Sequence, residues 1–368
     1  MQARIAGRAR EFSLGKLIGI LFSLVIVAAV AAGAGWFWLN SSFTADGPAT
    51  EDGKPRVVMI ERGSTTQVIA TKLKEAGAIA DDGQFRLALR MREMLGDKVV
   101  MKAGEYEIAS GASMEAIVKE LASGASLQYA VIVPEGLTSQ MILSLLVERE
   151  WKATGGSAST YKLAGPVPAV PAEGVLLPGD YAVTRGDTIE SVINRMIKAQ
   201  QDLLAELWPN RQPGLPIKTP EEAVNLASIV ENETGVPHER PQVASLFVNR
   251  LNKPMRLQSD PTIVYGITRG VPLGHGLRVS EIAARTEWNT YQIDGLPKTP
   301  ICNPGKESIA AVLNPAQTNY YYFVADGSGG HAFAETLGEH NANVSKWREV
   351  EKQRGAKEPA GVGATPKP

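Results

Sequence analysis

The hydrophobic pattern changes character along the chain. Leu17 to Leu39 is a run of apolar or small residues without a charge, long enough to cross a bilayer as a helix. Asn40 to Lys54 is polar and rich in Gly, Pro and Asp, and reads as a tether. Short periodic segments then follow. Val57–Ile60, the alternating stretch Lys102–Ile108 and the β-branched Tyr129–Val133 predict strands. Ser64–Ala76, with Val68, Ile69, Leu73 and Ala76 on one face, Phe85–Leu95 and Ser113–Ala122 predict helices. Pro134 opens a larger set. Helices are expected over Leu137–Arg149, from an Asp187 cap to Leu207, and over Ser280–Ala284, Ser308–Leu313 and Glu339–Val350. The aromatic strand Tyr320–Ala325 turns through Asp326–Gly330 into a strand His331–Ala334. Ala153–Glu173 reads as a long loop and Leu176–Tyr181 as a turn.

The most informative pattern is Thr219–Leu251. Thr219, Pro220 and Glu222 supply a hydroxyl cap, a first-turn proline and a glutamate three positions on. Ala223, Leu226, Ala227 and Val230 then give the one-face spacing of a half-buried helix. The stripe ends in Glu231 and Glu233, before Gly235 and Pro237 stop it. A carboxyl group beside apolar surface has its charged form disfavoured, which suits it to general acid work. At roughly 100° per residue the two glutamates flank the stripe alike, so periodicity does not choose between them, and both could equally be solvated at a helix end.

The resulting expectation is an α+β chain in segments. Residues 1–16 are a cytoplasmic amino terminus, 17–39 a single transmembrane helix and 40–54 the tether. Residues 55–133 form a small α+β domain, 134–352 a larger α+β domain and 353–368 a disordered tail. With 368 residues, 44% hydrophobic and 21% charged, the chain has ample material for two cores. A net charge of −1 gives no support to nucleic-acid binding. Cys302 is the only cysteine, so the fold rests on packing rather than on an internal disulfide. Arg4, Arg8, Arg10 and Lys16 precede the apolar run, and Glu51 and Asp52 follow it. The positive-inside rule therefore puts the amino terminus in the cytoplasm and nearly everything else outside. Trp36, Phe37 and Trp38 sit where an aromatic belt belongs. Ala32-Gly33-Ala34 could pass for a signal-peptidase site, but the apolar run continues beyond it, which favours an uncleaved anchor.

Candidate chemistries narrow quickly. His238, His275, His331 and His340 form no HExxH or clustered ligand pattern, so no metal site is expected. Gly327–Gly330 lacks the Lys-Ser/Thr of a phosphate-binding loop, and no GxSxG serine is present. No cofactor is implied. Glycosidic cleavage fits best, because it needs a proton delivered to a leaving oxygen. Glu231, Glu233, Glu239 and Asp260 are all possible participants.

Long stretches resemble one family. Ala227–Thr234 (ASIVENET), Val243–Leu251 (VASLFVNRL), Leu257–Gly266 (LQSDPTIVYG), Asn289-Thr290-Tyr291, Gly295-Leu-Pro, Asn303-Pro-Gly and Tyr322–His331 (YFVADGSGGH) are similar to the membrane-bound endolytic murein transglycosylases, the MltG or YceG-like family. The resemblance covers the anchor and almost everything from Val57 to about Val350, and is weakest in the Pro/Ala loop after Lys152 and in the tail. It implies that Glu233 is the catalytic acid and that the β-1,4 bond after N-acetylmuramic acid is cut with formation of a 1,6-anhydro ring. A second carboxylate is then unnecessary, since one glutamate can protonate the leaving oxygen and then accept the proton of the C6 hydroxyl. It further implies a LysM-like smaller domain, peptidoglycan as substrate, a bacterial inner membrane with the catalytic domain periplasmic, and penicillin-binding cell-wall polymerases as partners. Gln258, Asn249, Asn289, Tyr291 and His331 match its motifs and are of types that hydrogen-bond sugars, whereas Arg250 could instead pair with a carboxylate. Two other readings remain open. One is a non-catalytic wall-binding scaffold; the other is a two-carboxylate hydrolase using Asp260 or Glu231.

Overall fold

A computed structural model of the protein describes residues 14–355. The expectations for the cytoplasmic terminus and for most of the tail lie outside these residues. The chain divides into two compact units between Gln128 and Tyr129.

The first unit begins with α1 (Leu14–Thr44), long and apolar enough to cross a membrane. It continues with β1 (Arg56–Ile60), α2 (Thr66–Glu75), α3 (Asp82–Met94), β2 (Gly104–Ile108) and α4 (Met114–Ser123). β1 and β2 pair antiparallel, with Val58 opposite Tyr106, so the order is strand, two helices, strand. Thr65, Asp81 and Ser113 each cap the helix that follows by accepting a backbone N–H. Ile60, Leu73, Phe85, Tyr106, Ile117 and Leu121 form the fully buried centre of the core.

The expected tether is not free chain. α1 runs on to Thr44, and Leu39 and Phe43 are part of that core. Beyond the helix, the Gly47 N–H donates to the Gly111 carbonyl at 3.1 Å and the Thr50 N–H to the Ser110 hydroxyl at 2.8 Å. A polar, glycine-bearing composition reports flexibility only when nothing satisfies the backbone, and here the neighbouring turn does.

The second unit comprises β3 (Tyr129–Val133), α5 (Ser139–Glu148), β4 (Glu150–Lys152), β5 (Thr160–Lys162), β6 (Gly179–Val183), α6 (Ile189–Leu207), α7 (Pro220–Glu233), α8 (Arg240–Asn252), α9 (Asp260–Thr268), α10 (Val279–Ala283), α11 (Lys306–Leu313), β7 (Tyr322–Ala325), β8 (His331–Ala334) and α12 (Leu337–Gly355). β3 was expected in the smaller domain, with a boundary after residue 133. It pairs instead with β6, which moves the boundary before Tyr129. β5 lies inside the expected long loop and pairs with β4, just before that loop, as a small ribbon, and part of the expected turn at 176–181 is strand β6. Thr188, not Asp187, caps α6, in a reciprocal box with Ser191; the Asp187 carboxylate accepts the Thr184 N–H.

The sequence pattern marks α7 as half-buried, but Ala223 through Val230 are all buried. It is the central helix of the unit, packed between α8 and α11, and a helix covered on all sides shows little polar face. Its buried polar side chains are used: the Asn225 amide donates to the Pro297 carbonyl at 2.7 Å, and Ser228 Oγ accepts from Ile301 N–H at 3.0 Å.

Candidate active site

The carboxyl end of α7 separates the two glutamates that periodicity leaves equivalent. Glu231 is locked in place: its side chain is 6% exposed, ion-paired with Arg240 at 3.3 Å, and accepts the Gly305 N–H at 2.9 Å. Arg240 also donates to Ser308 Oγ and to Glu135. Glu231 therefore ties α7 to α8 and to the start of α11.

Glu233 is the last residue of α7 and lines a cleft of about 420 Å³. Its Oε1 is buried without a hydrogen-bond partner, as is the Ser259 hydroxyl. Burial pushes its carboxyl up to about 7; the nearby Ser259 hydroxyl and Arg250 charge moderate the rise, and Asp260 adds to it. Ser259 acts as a neighbouring dipole, because the two orphan atoms do not meet in bonding geometry. A carboxyl raised toward neutrality, on a residue that lines a cleft, is equipped both to give and to take back a proton.

Of the other residues expected to touch substrate, Gln258 and Tyr291 share this cleft with Glu233. Gln258 has a left-handed backbone, φ 51°, which costs a side-chain-bearing residue about 1–2 kcal/mol. The strained turn puts Leu257 and Ser259 in the interior and exposes Gln258 and Asp260. Tyr291 donates its hydroxyl to Asp260 at 2.8 Å, and burial together with that carboxylate raises the Tyr291 hydroxyl above its usual range.

Asn249, Asn289 and His331 do not line the cleft, and their bonds explain why. The Asn249 amide donates to the carbonyls of Thr318 and Tyr320. Asn289 is fully buried, donates to Ile282 and Ala284, and accepts the Tyr291 N–H at 3.0 Å; it positions Tyr291 rather than a sugar. His331 Nδ1 and N–H both meet Glu239 at 2.8 Å. Glu239 also accepts from the Thr234 hydroxyl at 3.1 Å. Burial opposes charge on Glu239, but these three donors hold its carboxyl below the usual range. Thr234 follows Glu233 directly, so the network pins the end of α7 to the β7–β8 hairpin. A Cβ on Gly330 would lie 2.5 Å from Glu239 Oε1, which accounts for glycine at that point of the hairpin.

Arg250 makes no ion pair in the cleft. It is 5% exposed and donates to the carbonyls of Tyr321, Arg256 and Leu257, so its charge is fixed by backbone oxygens beside Glu233. The far wall was not foreseen. Tyr322 and His340 stack with centroids 5.3 Å apart and planes at 26°; Leu337, His340 and Val344 of α12 join them. The signal available was the i, i+3, i+7 spacing of those three residues on one helix face. Burial and the Arg250 charge keep His340 below its usual pKa, favouring the neutral ring.

A second, larger cavity of about 780 Å³ adjoins the first, and Asp260 lines both. Asn232 also faces the larger one, with Val264, Tyr265, Leu273 and Ile301 among its apolar walls. Asp260 thus marks where the two grooves meet.

Fold and site together define a mixed α+β protein with an apolar amino-terminal helix and a desolvated carboxyl acid in an open groove. The chain belongs to the YceG-like family, whose profile matches residues 58–346. It is similar to the endolytic murein transglycosylase of Bacillus subtilis, with 29% identity over 324 residues, 82% of this chain and 87% of the relative. It is also similar to the endolytic murein transglycosylase of Streptococcus pneumoniae, with 26% identity over 366 residues; there it spans 64% of the relative's length. A solved YceG-like protein of Listeria monocytogenes is 26% identical, with a TM-score of 0.47, covering 78% of this chain and 98% of that one.

Proposed function

We propose that this protein is an endolytic lytic transglycosylase of peptidoglycan, cleaving the β-1,4 bond between N-acetylmuramic acid and N-acetylglucosamine with Glu233 as acid and then base. The observation that carries this reading is Glu233 itself: a buried, unpartnered carboxyl oxygen in a groove, on a carboxyl that titrates near 7. Protonated Glu233 donates to the glycosidic oxygen as the C1–O4 bond breaks. The resulting carboxylate accepts the proton of the muramic C6 hydroxyl as O6 bonds to C1. One bond breaks, one forms, the proton returns to Glu233 and no water is consumed, leaving a 1,6-anhydro end. Arg250 would steady the carboxylate between the two transfers, and Gln258 and Tyr291 would contact sugar. The second groove would take the units beyond the cut, as an endolytic cut requires.

In this reading α1 is a single-pass anchor in the bacterial inner membrane, with the amino terminus cytoplasmic and both units periplasmic. The strand–helix–helix–strand order of the first unit supports a LysM-like domain that contacts glycan. Penicillin-binding polymerases in the same membrane are the proposed partners, since they would supply the nascent strands.

Asp260 keeps a second reading in play, because its carboxylate reaches the same cleft and could serve a hydrolase. Digestion of purified peptidoglycan followed by mass analysis of the ends separates the two. Anhydromuramic ends are expected from the wild type and far fewer, at the same enzyme concentration and time, from Glu233→Gln; reducing muramic ends would make the protein a hydrolase.

A further inference from the structure

We propose that the carboxyl end of α3 and the loop behind it form a second membrane contact, with Met94, Leu95 and Val100 entering the headgroup layer of the bilayer that α1 crosses. This rests on the reading of α1 as a transmembrane anchor. The face of α1 turned toward the first unit carries Trp36, Leu39, Asn40 and Phe43, the i, i+3, i+4, i+7 spacing of one helical stripe. Leu39 and Phe43 are buried, Trp36 and Asn40 half-buried, while Phe37 and Trp38 are 76% and 61% exposed. Exposed aromatic side chains at the end of a membrane helix mark the interface. At about 1.5 Å per residue, Asn40 stands about 3 Å beyond Trp38 along the axis, within a headgroup layer about 5–7 Å thick on each side. The core of the first unit thus begins at the membrane surface.

Arg92 brings α3 to that level. It donates to Asn40 Oδ1 at 3.1 Å, and its guanidinium lies 4.4 Å over the Phe43 ring. Glu93, Met94 and Leu95 follow, and the Asp97 N–H folds the following loop back onto the Arg92 carbonyl at 2.9 Å. Met94, Leu95 and Val100, each 69% exposed, are the most exposed large apolar side chains of the unit outside α1. Met94 and Leu95 lie two and three residues beyond Arg92, which touches α1 at Asn40 and Phe43, so exposed apolar side chains there have an occupant at hand, the lipid that surrounds that helix. Charge contributes little: Lys98 lies 3.7 Å from Glu93, and Asp97 is adjacent. The contact is apolar and needs no anionic lipid.

The test places a fluorescent bimane on Leu95→Cys, and separately on Met94→Cys, in the full chain in phosphatidylcholine nanodiscs holding one copy each. The native Cys302 is fully buried, and burial keeps its thiol well above the usual range, so it labels poorly. Lipid carrying a nitroxide at the headgroup or at the top of the acyl chain is expected to cut the fluorescence at least twofold, while a water-soluble quencher has little effect. Strong quenching from water without quenching from lipid overturns the proposal, and so does protection from both, which would assign the patch to protein. A bimane on Val27→Cys, inside α1, must be quenched from lipid. If it is and the α3 labels are not, this contact fails and the anchor stands; if none is, the anchor reading fails as well.

Discussion

At the residue scale the informative contrast is between Glu231 and Glu233, two positions apart with opposite surroundings. Glu233→Gln should lower turnover about 10²–10⁴-fold, the usual worth of a positioned general acid, measured as anhydro ends released per minute. The same variant should be more heat-stable than the wild type at alkaline pH. Glu233 has a folded-state pKa raised from 4.5 to about 7, so its contribution to stability is full below about 4.5 and lost as pH rises through about 7. Glutamine escapes that loss, which is at most about 3 kcal/mol; the melting-temperature gain should therefore be small at pH 5 and large at pH 8. For Glu231→Gln the expectation reverses. Removing the Arg240 partner and weakening the Gly305 bond costs about 1.5–3 kcal/mol of stability, while the folded fraction keeps its anhydro product. A Glu231 variant that folds normally and makes no product would identify the wrong glutamate as the acid. Spacing alone could not see this, because the distinction depends on Arg240 and Gly305, which reach Glu231 only in the folded chain. The resemblance carried by the Glu-Asn-Glu-Thr motif favours Glu233, and the apolar stripe suggests desolvation at this helix end, but which of the two glutamates keeps an unpartnered oxygen emerges only from the folded chain.

Among the elements, those with a full period of hydrophobic pattern were legible, and those whose order comes from partners were not. Thr219, Ser113 and the β7–β8 turn appear where capping and turn chemistry put them. β5 has only three residues in a Gly, Ser and Pro setting, too few to display alternation, and exists because β4 pairs with it. Asn303 is a similar case. Its buried side chain accepts from Gly174 and Leu176 N–H and donates to the Leu137 carbonyl and Ser139 Oγ, holding three separate segments together. The hairpin invites a sharper test through Glu239→Gln. The folded-state pKa of Glu239 is lowered, so the stability it provides is present above its unfolded value and fades as pH falls through the folded one. The variant should be about 1.5–3 kcal/mol less stable near pH 7, and the gap to the wild type should close in acid. Because Thr234 joins the same network, loosened placement of Glu233 should appear as a lower kcat with KM little changed. An unchanged kcat would mean that the hairpin only adds stability.

For the whole molecule, the decisive feature is the continuity of α1 with the first unit. A composition rich in Gly, Pro and Asp after Leu39 reads as a tether, yet Phe43 is 2% exposed within the core and Leu39 5%. The two pictures predict different behaviour for Phe43→Ala. If residues 40–54 were a leash, removing the ring would leave the first unit as stable as before. With Phe43 in the core, truncation should cost about 3–5 kcal/mol and also remove the surface on which Arg92 rests. Amide hydrogen exchange on the full chain in nanodiscs reads this directly. Strands β1 and β2 should exchange about 10²-fold faster or more, since each 1.4 kcal/mol is a factor of ten. Buried helix α7, in the other unit, serves as the internal reference and should be unchanged if the units open independently. Phe37→Ala, which removes an exposed ring from the same helix, should leave β1 and β2 protected. A rigid junction also constrains the first unit, since it fixes that unit's orientation to the membrane normal as firmly as the packing of Leu39 and Phe43 allows.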